Sequence, residues 1–322
     1  MDLSIVIPVY NEVESLPLLH QAVHTALKDM KRSWEVIYVN DGSKDGSDKV
    51  LDGLAVEDPA HVCVVQFRRN FGQTTAIAAG IDHARGDVIT FLDADLQNDP
   101  ADIPMMLERL DEGYDVVSGW RKNREDNALT RNLPSHMANW LISNVTGVHL
   151  HDYGCTLKAY RREAITGFRL YGEMHRFIPV YANSVGAKIL EVPVRHHARQ
   201  FGQSKYGLER TIKVVLDLIA VQFLTRAAYK PIYLFGGGGI ILIVAGVLGV
   251  LFLVIRKLLF NIDVATSPYF IISVMAGMMG FQSILLGLIA ELLVRTYHES
   301  QAKPTYTVRK LWRDGKEGNE AQ

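Results

Sequence analysis

The chain has 322 residues, in which 34 lysines and arginines are balanced by 35 aspartates and glutamates, for a formal net charge of -1. General nucleic-acid binders carry a basic excess, so this balance excludes a broad polyanion-binding surface. The two cysteines, Cys63 and Cys155, exclude a disulfide framework and form no CxxC metal spacing. Hydrophobic residues make up 48% of the chain and the mean hydropathy is +0.06, which indicates an uneven distribution of apolar residues.

Residues 1–207 are predicted to alternate short strands with helices. The predicted strands are apolar and rich in β-branched residues, and the segments between them have helical composition. Such alternation is typical of an α/β domain with a mostly parallel sheet covered on both faces. The strands are expected at 3–9, 35–39, 61–67 and 87–92, and the helices at 14–30, 47–54 and 73–83.

Polar residues cluster where these strands end. Tyr10 and Glu12 follow the first strand, Asp41 follows the second, and Asp93 and Asp95 follow the fourth. Ligands of parallel sheets bind at the carboxyl ends of the strands, so we expect these side chains to share one site. Two carboxylates that flank one small residue can converge on a hard divalent cation, which itself bridges phosphate oxygens.

Two long uncharged stretches follow, at 231–255 and 264–290. Each exceeds the about 20 residues that a helix needs to cross a hydrocarbon core, so we expect two transmembrane helices within 231–295. Lysines and arginines before and after this hairpin outnumber the two in the loop 256–263. The positive-inside rule therefore places both termini and the first 207 residues in the cytoplasm.

The segments that flank the hairpin also have distinct patterns. Segment 208–230 has apolar residues at spacings of three and four, which favours an amphipathic helix on the bilayer surface; packing on the soluble domain is the alternative. Segment 296–322 is expected to be a basic cytosolic tail. Glycine and serine recur in both spans. They favour homo-oligomers that pack through these small-residue faces; the alternative is the elevated glycine content of membrane helices in general.

The motifs together resemble the family 2 inverting glycosyltransferases, which have the Rossmann-like GT-A fold. The resemblance rests on 5–12 (IVIPVYNE), 40–45 (NDGSKD), 69–72 (RNFG) and 93–97 (DADLQ).

Four further features resemble the polyprenyl-phosphate sugar transferases within that family. These are 131–135 (RNLPS), 151–155 (HDYGC), Arg199 and 202–206 (GQSKY). The two-span ending is most similar to the bactoprenol (undecaprenyl-phosphate) glucosyltransferases; dolichyl-phosphate mannose synthase is a further relative. The resemblance implies a location in the inner (plasma) membrane.

The resemblance also implies a role for each matching residue. The nucleotide-sugar site is expected to comprise Pro8, Tyr10, Glu12, Asp41, Asp93, Ala94, Asp95 and Arg121. The ligands of Mg²⁺ or Mn²⁺ are expected to be Asp93, Asp95 and Gln97. The lipid phosphate is expected to meet Arg131 and Ser135, and the catalytic residues are expected to be Asp152, Arg199 and Lys205.

The acceptor implied by the resemblance determines the expected mechanism. A phosphate monoester has a second pKa near 6, so its oxygen is already largely anionic at neutral pH and needs little proton removal. Catalysis then depends on positioning and on neutralising the departing nucleoside diphosphate, for which Arg199 and Lys205 are the candidates. Asp152 is the candidate base or orienting carboxylate; a structural aspartate at a turn is the alternative.

The expected reaction is inverting transfer of a hexose to polyprenyl phosphate, giving a β-linked lipid phosphate sugar from an α-linked donor. UDP-glucose is the favoured donor by resemblance. GDP-mannose and a UDP-linked modified aminosugar are the alternatives on the same scaffold. A membrane scaffold protein with an inactive transferase site is the alternative from another functional class.

Overall fold

The structure is a computed structural model that describes residues 1–122, 139, 142–144, 146–166, 170, 174–198, 231–260, 267–300 and 306–318. The chain divides into two compact units. The first comprises Met1–Val221 with Pro304–Gln322, and the second comprises Gln222–Lys303.

A mixed sheet, with nine strands among the described residues, forms the centre of the first unit. The strands are β1 (Leu3–Val9), β2 (Trp34–Asn40), β3 (Val62–Phe67), β4 (Val88–Phe91), β5 (Val116–Trp120), β6 (Lys158–Arg161), β7 (Ile189–Pro193), β8 (Val308–Arg313) and β9 (Lys316–Gly318). Their order in the sheet is β7-β5-β6-β4-β1-β2-β3-β8-β9. β1 pairs in parallel with β2 and β4, and β2 with β3, whereas β6 runs antiparallel to β4 and β5.

Helices cover both faces of this sheet, as the alternating sequence predicts. They are α1 (Leu16–Leu27), α2 (Ser47–Glu57), α3 (Gln73–His83), α4 (Ile103–Asp111), α5 (Arg162–Ile165) and α6 (Ile178–Ser184). Successive side chains of a strand point to opposite faces, so Ile5 and Ile7 pack in the layer of α1, α2 and α4 while Val6 packs with α3. The mostly parallel α/β sheet is confirmed.

The tail after the apolar helices contributes strands that the charge pattern did not predict. β8 pairs antiparallel with β3, and β9 pairs with β8. Lys310 of β8 forms an ion pair with Asp52 of α2 at 3.0 Å, and Arg313 donates a hydrogen bond to the carbonyl oxygen of His83. These two basic residues of the tail therefore bind α2 and the last residue of α3.

The second unit contains α7 (Pro231–Phe260) and α8 (Pro268–Ser300). Within them, Phe235–Leu259 and Pro268–Ala290 are long and apolar enough to cross a membrane. Arg256 and Lys257, which are predicted in the loop, extend α7 by another turn because no glycine or proline interrupts it. The second helix begins at Pro268 rather than 264, since proline favours the first position of a helix.

Glycines bring these two helices into close contact. A Cβ atom at Gly239 would lie 2.5 Å from the carbonyl oxygen of Gly280, and one at Gly246 would lie 2.6 Å from that of Ser273. The small residues noted in the sequence therefore allow contact within one hairpin, and homo-oligomerisation stays a prediction. The expected interfacial helix at 208–230 lies outside the described residues.

Candidate active site

The carboxyl ends of β1, β2 and β4 meet at one edge of the sheet because these strands are parallel neighbours. β6 runs in the opposite direction, so the segment before it, 152–157, reaches the same edge. Arg121, which follows β5, reaches it as well. The topology therefore brings together eight predicted residues on the loops after β1, β2, β4 and β5, as well as Asp152.

Hydrogen bonds join the loop after β1 to the loop after β2. The Asn11 amide donates to Ser43 Oγ at 2.9 Å, and the Lys44 amide donates to Asn11 Oδ1 at 2.8 Å. The Glu12 amide donates to Ser47 Oγ at 3.0 Å. Asn11 has a φ of 54°, a left-handed conformation that asparagine tolerates better than most residues. The turn that carries Tyr10 and Glu12 is thus held at Asn11 and Glu12.

The carboxylate of Asp41 holds the RNFG segment. It accepts hydrogen bonds from the backbone amides of Phe71 at 2.6 Å and Gly72 at 2.9 Å, and the residue is 3% exposed. Burial raises the pKa of Asp41, although the two amide hydrogen bonds oppose this change. Gly42 allows the close approach, because a Cβ atom there would lie 2.5 Å from the carbonyl carbon of Arg69.

Asp93 and Asp95 form the acidic part of the site. Asp95 is 9% exposed, and Asp93 is partly buried and accepts a hydrogen bond from Gln73 Nε2 at 3.0 Å. Burial and the neighbouring charge of Asp95 raise the pKa of Asp93 to about 6, against a hydrogen bond from Thr156. Two carboxylates in repulsion at a strand end are a typical feature of a cation site.

The turn after Asp95 has a constrained backbone. Leu96 adopts a φ of 59°, which is rare for a bulky side chain. The Gln97 amide donates to Asp95 Oδ1 at 3.2 Å, and the Gln97 carbonyl accepts from the His197 amide at 2.8 Å. The side-chain amide of Gln97 makes no hydrogen bond within the part of the chain that the structure describes. It is therefore available to a ligand beside Asp93 and Asp95.

Arg121 and Asp152 form a bidentate ion pair. Nε and Nη2 of Arg121 donate to the two carboxylate oxygens at 2.7 and 2.9 Å, and the Asp152 side chain is 4% exposed. Burial disfavours the charge of Arg121, but the hydrogen bonds to Asp152 raise its pKa overall. The Asp152 amide also donates to Glu191 Oε1 at 3.0 Å. The carboxylate of Asp152 is thus paired with the guanidinium of Arg121, which favours an orienting role for Asp152.

Two polar residues of this edge were not among the predicted site residues. Gln73, the first residue of α3, directly follows the RNFG motif and contacts Asp93. Lys158, the first residue of β6, is 3% exposed and donates from Nζ to the carbonyl oxygens of Tyr153 and Cys155. Burial lowers the pKa of Lys158. The sequence signal that could have identified Lys158 is a lysine at the start of an apolar segment.

The structure describes the positions of Pro8, Tyr10, Glu12, Asp41, Asp93, Ala94, Asp95, Gln97, Arg121 and Asp152 at this edge. The other predicted residues, Arg131, Ser135, Arg199 and Lys205, lie outside the described residues.

The donor set fits a hard divalent cation. Asp93, Asp95 and Gln97 offer only oxygen atoms from their carboxylates and amide, the ligands that Mg²⁺ and Mn²⁺ prefer. The raised pKa of Asp93 supports this interpretation, since a cation between the carboxylates would offset their repulsion.

Comparison with known proteins gives three kinds of match. Glycosyl transferase family 2 matches residues 4–168. Dodecaprenyl-phosphate galacturonate synthase of Rhizobium johnstonii is 42% identical over 98% of this chain and 94% of its own length. Undecaprenyl-phosphate 4-deoxy-4-formamido-L-arabinose transferase of Klebsiella pneumoniae is 39% identical over 96% of this chain and 93% of its own length.

Solved structures with a similar fold include glucosyl-3-phosphoglycerate synthase of Mycobacterium tuberculosis. Its complex with Mn²⁺, UDP and phosphoglyceric acid has a TM-score of 0.52 at 18% identity, over 70% of this chain and 78% of that one. Its complex with Mg²⁺ and UDP has a TM-score of 0.51 at 19% identity, over 70% and 79%.

Proposed function

The chain belongs to glycosyl transferase family 2 and has the GT-A fold, and we propose that it transfers one sugar from a nucleotide sugar to a membrane polyprenyl phosphate. The observation that carries this proposal is the pair Asp93 and Asp95 at the end of β4, beside the joined loops after β1 and β2. The names of the two relatives support the acceptor, because the similarity to them covers 96% of the chain or more.

Asp93, Asp95 and Gln97 would hold Mg²⁺ or Mn²⁺, both of which occur with UDP in structures of the same fold. Bound there, the ion would neutralise negative charge on the departing nucleoside diphosphate. Arg121 adds a fixed positive charge near Asp93. Asp152 occupies Nε and Nη2 of this arginine, so Nη1 is the atom available to a phosphate oxygen.

The joined loops would hold the nucleoside. Pro8, Tyr10, Glu12 and Asp41 lie at or beside them, and Ala94 lies between the two carboxylates. Because Asp41 holds the Phe71 and Gly72 amides, it also determines the position of the RNFG segment.

The reaction is a single displacement. An oxygen of the lipid phosphate attacks the anomeric carbon while the bond from that carbon to the diphosphate oxygen breaks, and the nucleoside diphosphate leaves with the electron pair. In-line attack inverts the configuration. The acceptor is largely anionic at neutral pH, so no strong base is required. Asp152 therefore acts by positioning Arg121.

Arg131 and Ser135 are proposed to receive the lipid phosphate, and Arg199 and Lys205 to neutralise the diphosphate. These four roles rest on the motif resemblance of their segments.

The two apolar helices suit an acceptor that cannot leave the bilayer. We propose that both span the inner membrane, with the catalytic unit and both termini in the cytoplasm. Strand β8, which follows α8 in the chain, belongs to the same sheet as β1, so the chain returns to the catalytic unit after the hairpin. An even number of spans returns the chain to the side of the membrane from which it entered, as this connectivity requires.

The donor is proposed to be a UDP-linked sugar, since the similar solved structures contain UDP. UDP-glucose is the donor favoured by the resemblance of the two-span ending to the glucosyltransferases. The relatives are named for galacturonate and 4-deoxy-4-formamido-L-arabinose, and their identities of 42% and 39% favour these two sugars over glucose and mannose.

The test is a donor panel with purified full-length protein, Mg²⁺ and undecaprenyl phosphate. UDP-glucose, UDP-galacturonate, UDP-4-deoxy-4-formamido-L-arabinose and GDP-mannose are supplied separately, and the lipid product is identified by mass. We expect a lipid-linked sugar from one of the UDP donors, and much less of it from the Asp95→Asn variant at the same Mg²⁺ concentration. Absence of a lipid-linked sugar with every donor would favour the inactive-scaffold alternative.

A further inference from the structure

A cluster of histidines surrounds one aspartate at the opposite edge of the sheet from the candidate active site. His20 and His24 lie on α1, Asp58 follows α2, and His61 precedes β3. Trp34, the first residue of β2, contacts two of these histidines. At about 3.3 Å per residue, the length of β2 separates this edge from Asp41 by roughly 20 Å. The cluster is therefore distinct from the acidic site at Asp93.

Asp58 is the centre of the cluster. Its Oδ2 atom lies 2.8 Å from His24 Nε2 and 3.9 Å from His20 Nε2, and its Oδ1 atom lies 2.8 Å from His61 Nδ1. One ligand atom each from His20, His24 and Asp58 lie within 4.8 Å of one another. Ligand atoms of a tetrahedral zinc site stand about 3.4 Å apart, given bonds of about 2.0–2.1 Å. Small side-chain rotations would therefore place all three around one ion.

The histidines are oriented as metal ligands are. His20 and His24 are separated by one helical turn and thus share a face of α1. His20 Nδ1 lies 3.2 Å from the hydroxyl of Tyr38, which is fully buried. Its Nε2 atom makes no hydrogen bond to any residue within the described ranges. Metal-binding histidines use the second ring nitrogen in this way, which holds the first nitrogen toward the ion.

The site is partly shielded from water. The side chains of His20 and Asp58 are 15% and 17% exposed, whereas that of His24 is 38% exposed. The ring of His61 stacks on Trp34 with centroids 4.0 Å apart, and the edge of His24 meets the same indole at 4.9 Å. His61 also holds the second oxygen of Asp58. The three potential ligands are thus fixed by neighbours from α1, β2 and the connection before β3.

We propose that His20, His24 and Asp58 form a second metal site that binds a borderline divalent transition-metal ion such as Zn²⁺. Imidazole nitrogen suits Zn²⁺ and is a poor ligand for Mg²⁺, so the site differs in selectivity from the all-oxygen set at Asp93 and Asp95. Tyr38 and His61 are positioning residues for His20 and Asp58. The ion would join α1 to the connection between α2 and β3 and stabilise this half of the sheet. Metal binding at this site does not depend on which sugar or acceptor the protein uses.

The experiment measures Zn²⁺ binding to full-length protein that carries an affinity tag without histidine. Metal is removed by chelation and dialysis, and Zn²⁺ is then titrated in competition with a chromophoric chelator in the presence of excess Mg²⁺. We expect one Zn²⁺ per chain and a higher melting temperature after binding, because the ion binds the folded state. Tetrahedral Co²⁺ absorption in the visible range provides an independent signature of the geometry.

Variants separate this site from adventitious binding. His24→Gln and Asp58→Asn each remove a ligand, so each is expected to weaken Zn²⁺ binding by more than about 100-fold. Tyr38→Phe keeps the shape of the buried ring and is expected to weaken binding by about 10–100-fold. His149→Gln, at an exposed histidine outside the cluster, should bind as the wild type does. No binding in excess Mg²⁺, or equal binding by wild type and both ligand variants, would overturn the proposal.

Discussion

Replacing Asp152 by asparagine removes a charge while keeping the shape of the side chain. The change leaves the guanidinium of Arg121, whose side chain is 15% exposed, without its anionic partner. The wild-type pair has two charge-assisted hydrogen bonds, at 2.7 and 2.9 Å. Removing one partner of a buried ion pair costs about 3–5 kcal/mol, largely because the remaining charge stays buried and unpaired. We therefore expect Asp152→Asn to be strongly destabilised.

Thermal unfolding of the full-length protein in detergent measures this effect. For a unit of 150–250 residues, 1 kcal/mol corresponds to about 2–4 °C, so the expected decrease in Tm is about 6–20 °C. Asp111→Asn is the matched control, because Asp111 pairs with Arg32 at the surface and is 53% exposed. A surface pair contributes about 0–1 kcal/mol, so the control should unfold close to wild type.

A double-variant comparison tests the positioning role. If Asp152 acts through Arg121, combining Arg121→Gln with Asp152→Asn should lower Tm and kcat/KM by less than the sum of the single changes. If Asp152 were a base, its asparagine variant would lose kcat with an unchanged Tm and a changed pH profile. Unfolding of Asp152→Asn within about 2 °C of wild type would contradict the ion-pair argument.

Three further predictions concern the acidic pair and the nucleotide loops. Asp95→Asn should require more Mg²⁺ for half-maximal turnover, yet raise the Tm of the metal-free protein at neutral pH, because it removes the charge that repels Asp93. The folded state raises the pKa of Asp93 to about 6. The stability of metal-free wild type relative to Asp93→Asn should therefore fall as pH rises from about 4 through about 6, and Mg²⁺ should suppress this fall. A difference in stability that does not change with pH would refute this prediction. Gly42→Ala, at a φ of 68° and against the backbone of Arg69, should cost at least about 1–3 kcal/mol and raise KM for the nucleotide sugar. Gly53→Ala on α2, with open space around it, should instead stabilise the protein by up to about 1 kcal/mol and leave KM unchanged.

The sequence predicts the part of the site that follows from local pattern. Each of the first four strands is a short apolar run that ends in a polar cluster, so the carboxyl-edge positions of Tyr10, Asp41, Asp93 and Asp95 follow from parallel pairing alone. The apolar helices follow from length and composition in the same way.

Local sequence patterns do not predict contacts between distant segments of the chain. Asp41 is predicted at the nucleotide site, and the structure adds hydrogen bonds from the amides of residues 71 and 72 to its carboxylate, which no local pattern indicates. Arg121 is predicted at the nucleotide-sugar site, but the local sequence does not reveal its ion-pair partner, Asp152, which lies 31 residues away.

The same reason explains the strands that were not predicted. β8 has the sequence VRKLWR, and its lysine and arginines are typical of an exposed tail. Its pairing with β3 depends on partners more than 200 residues earlier, such as Asp52 and the carbonyl oxygen of His83. The histidine cluster likewise joins α1 to the connection before β3, and its members are too far apart in sequence to form a metal motif.

The most direct test of sugar transfer to a lipid phosphate is the anomeric configuration of the lipid product. Full-length protein is incubated with Mg²⁺, undecaprenyl phosphate and the accepted α-linked UDP-sugar, and the extracted lipid is analysed by mass spectrometry and NMR. The proposed single displacement predicts one sugar per lipid phosphate, linked with inverted configuration. Retained configuration, or release of free sugar and UDP without a lipid product, would contradict it.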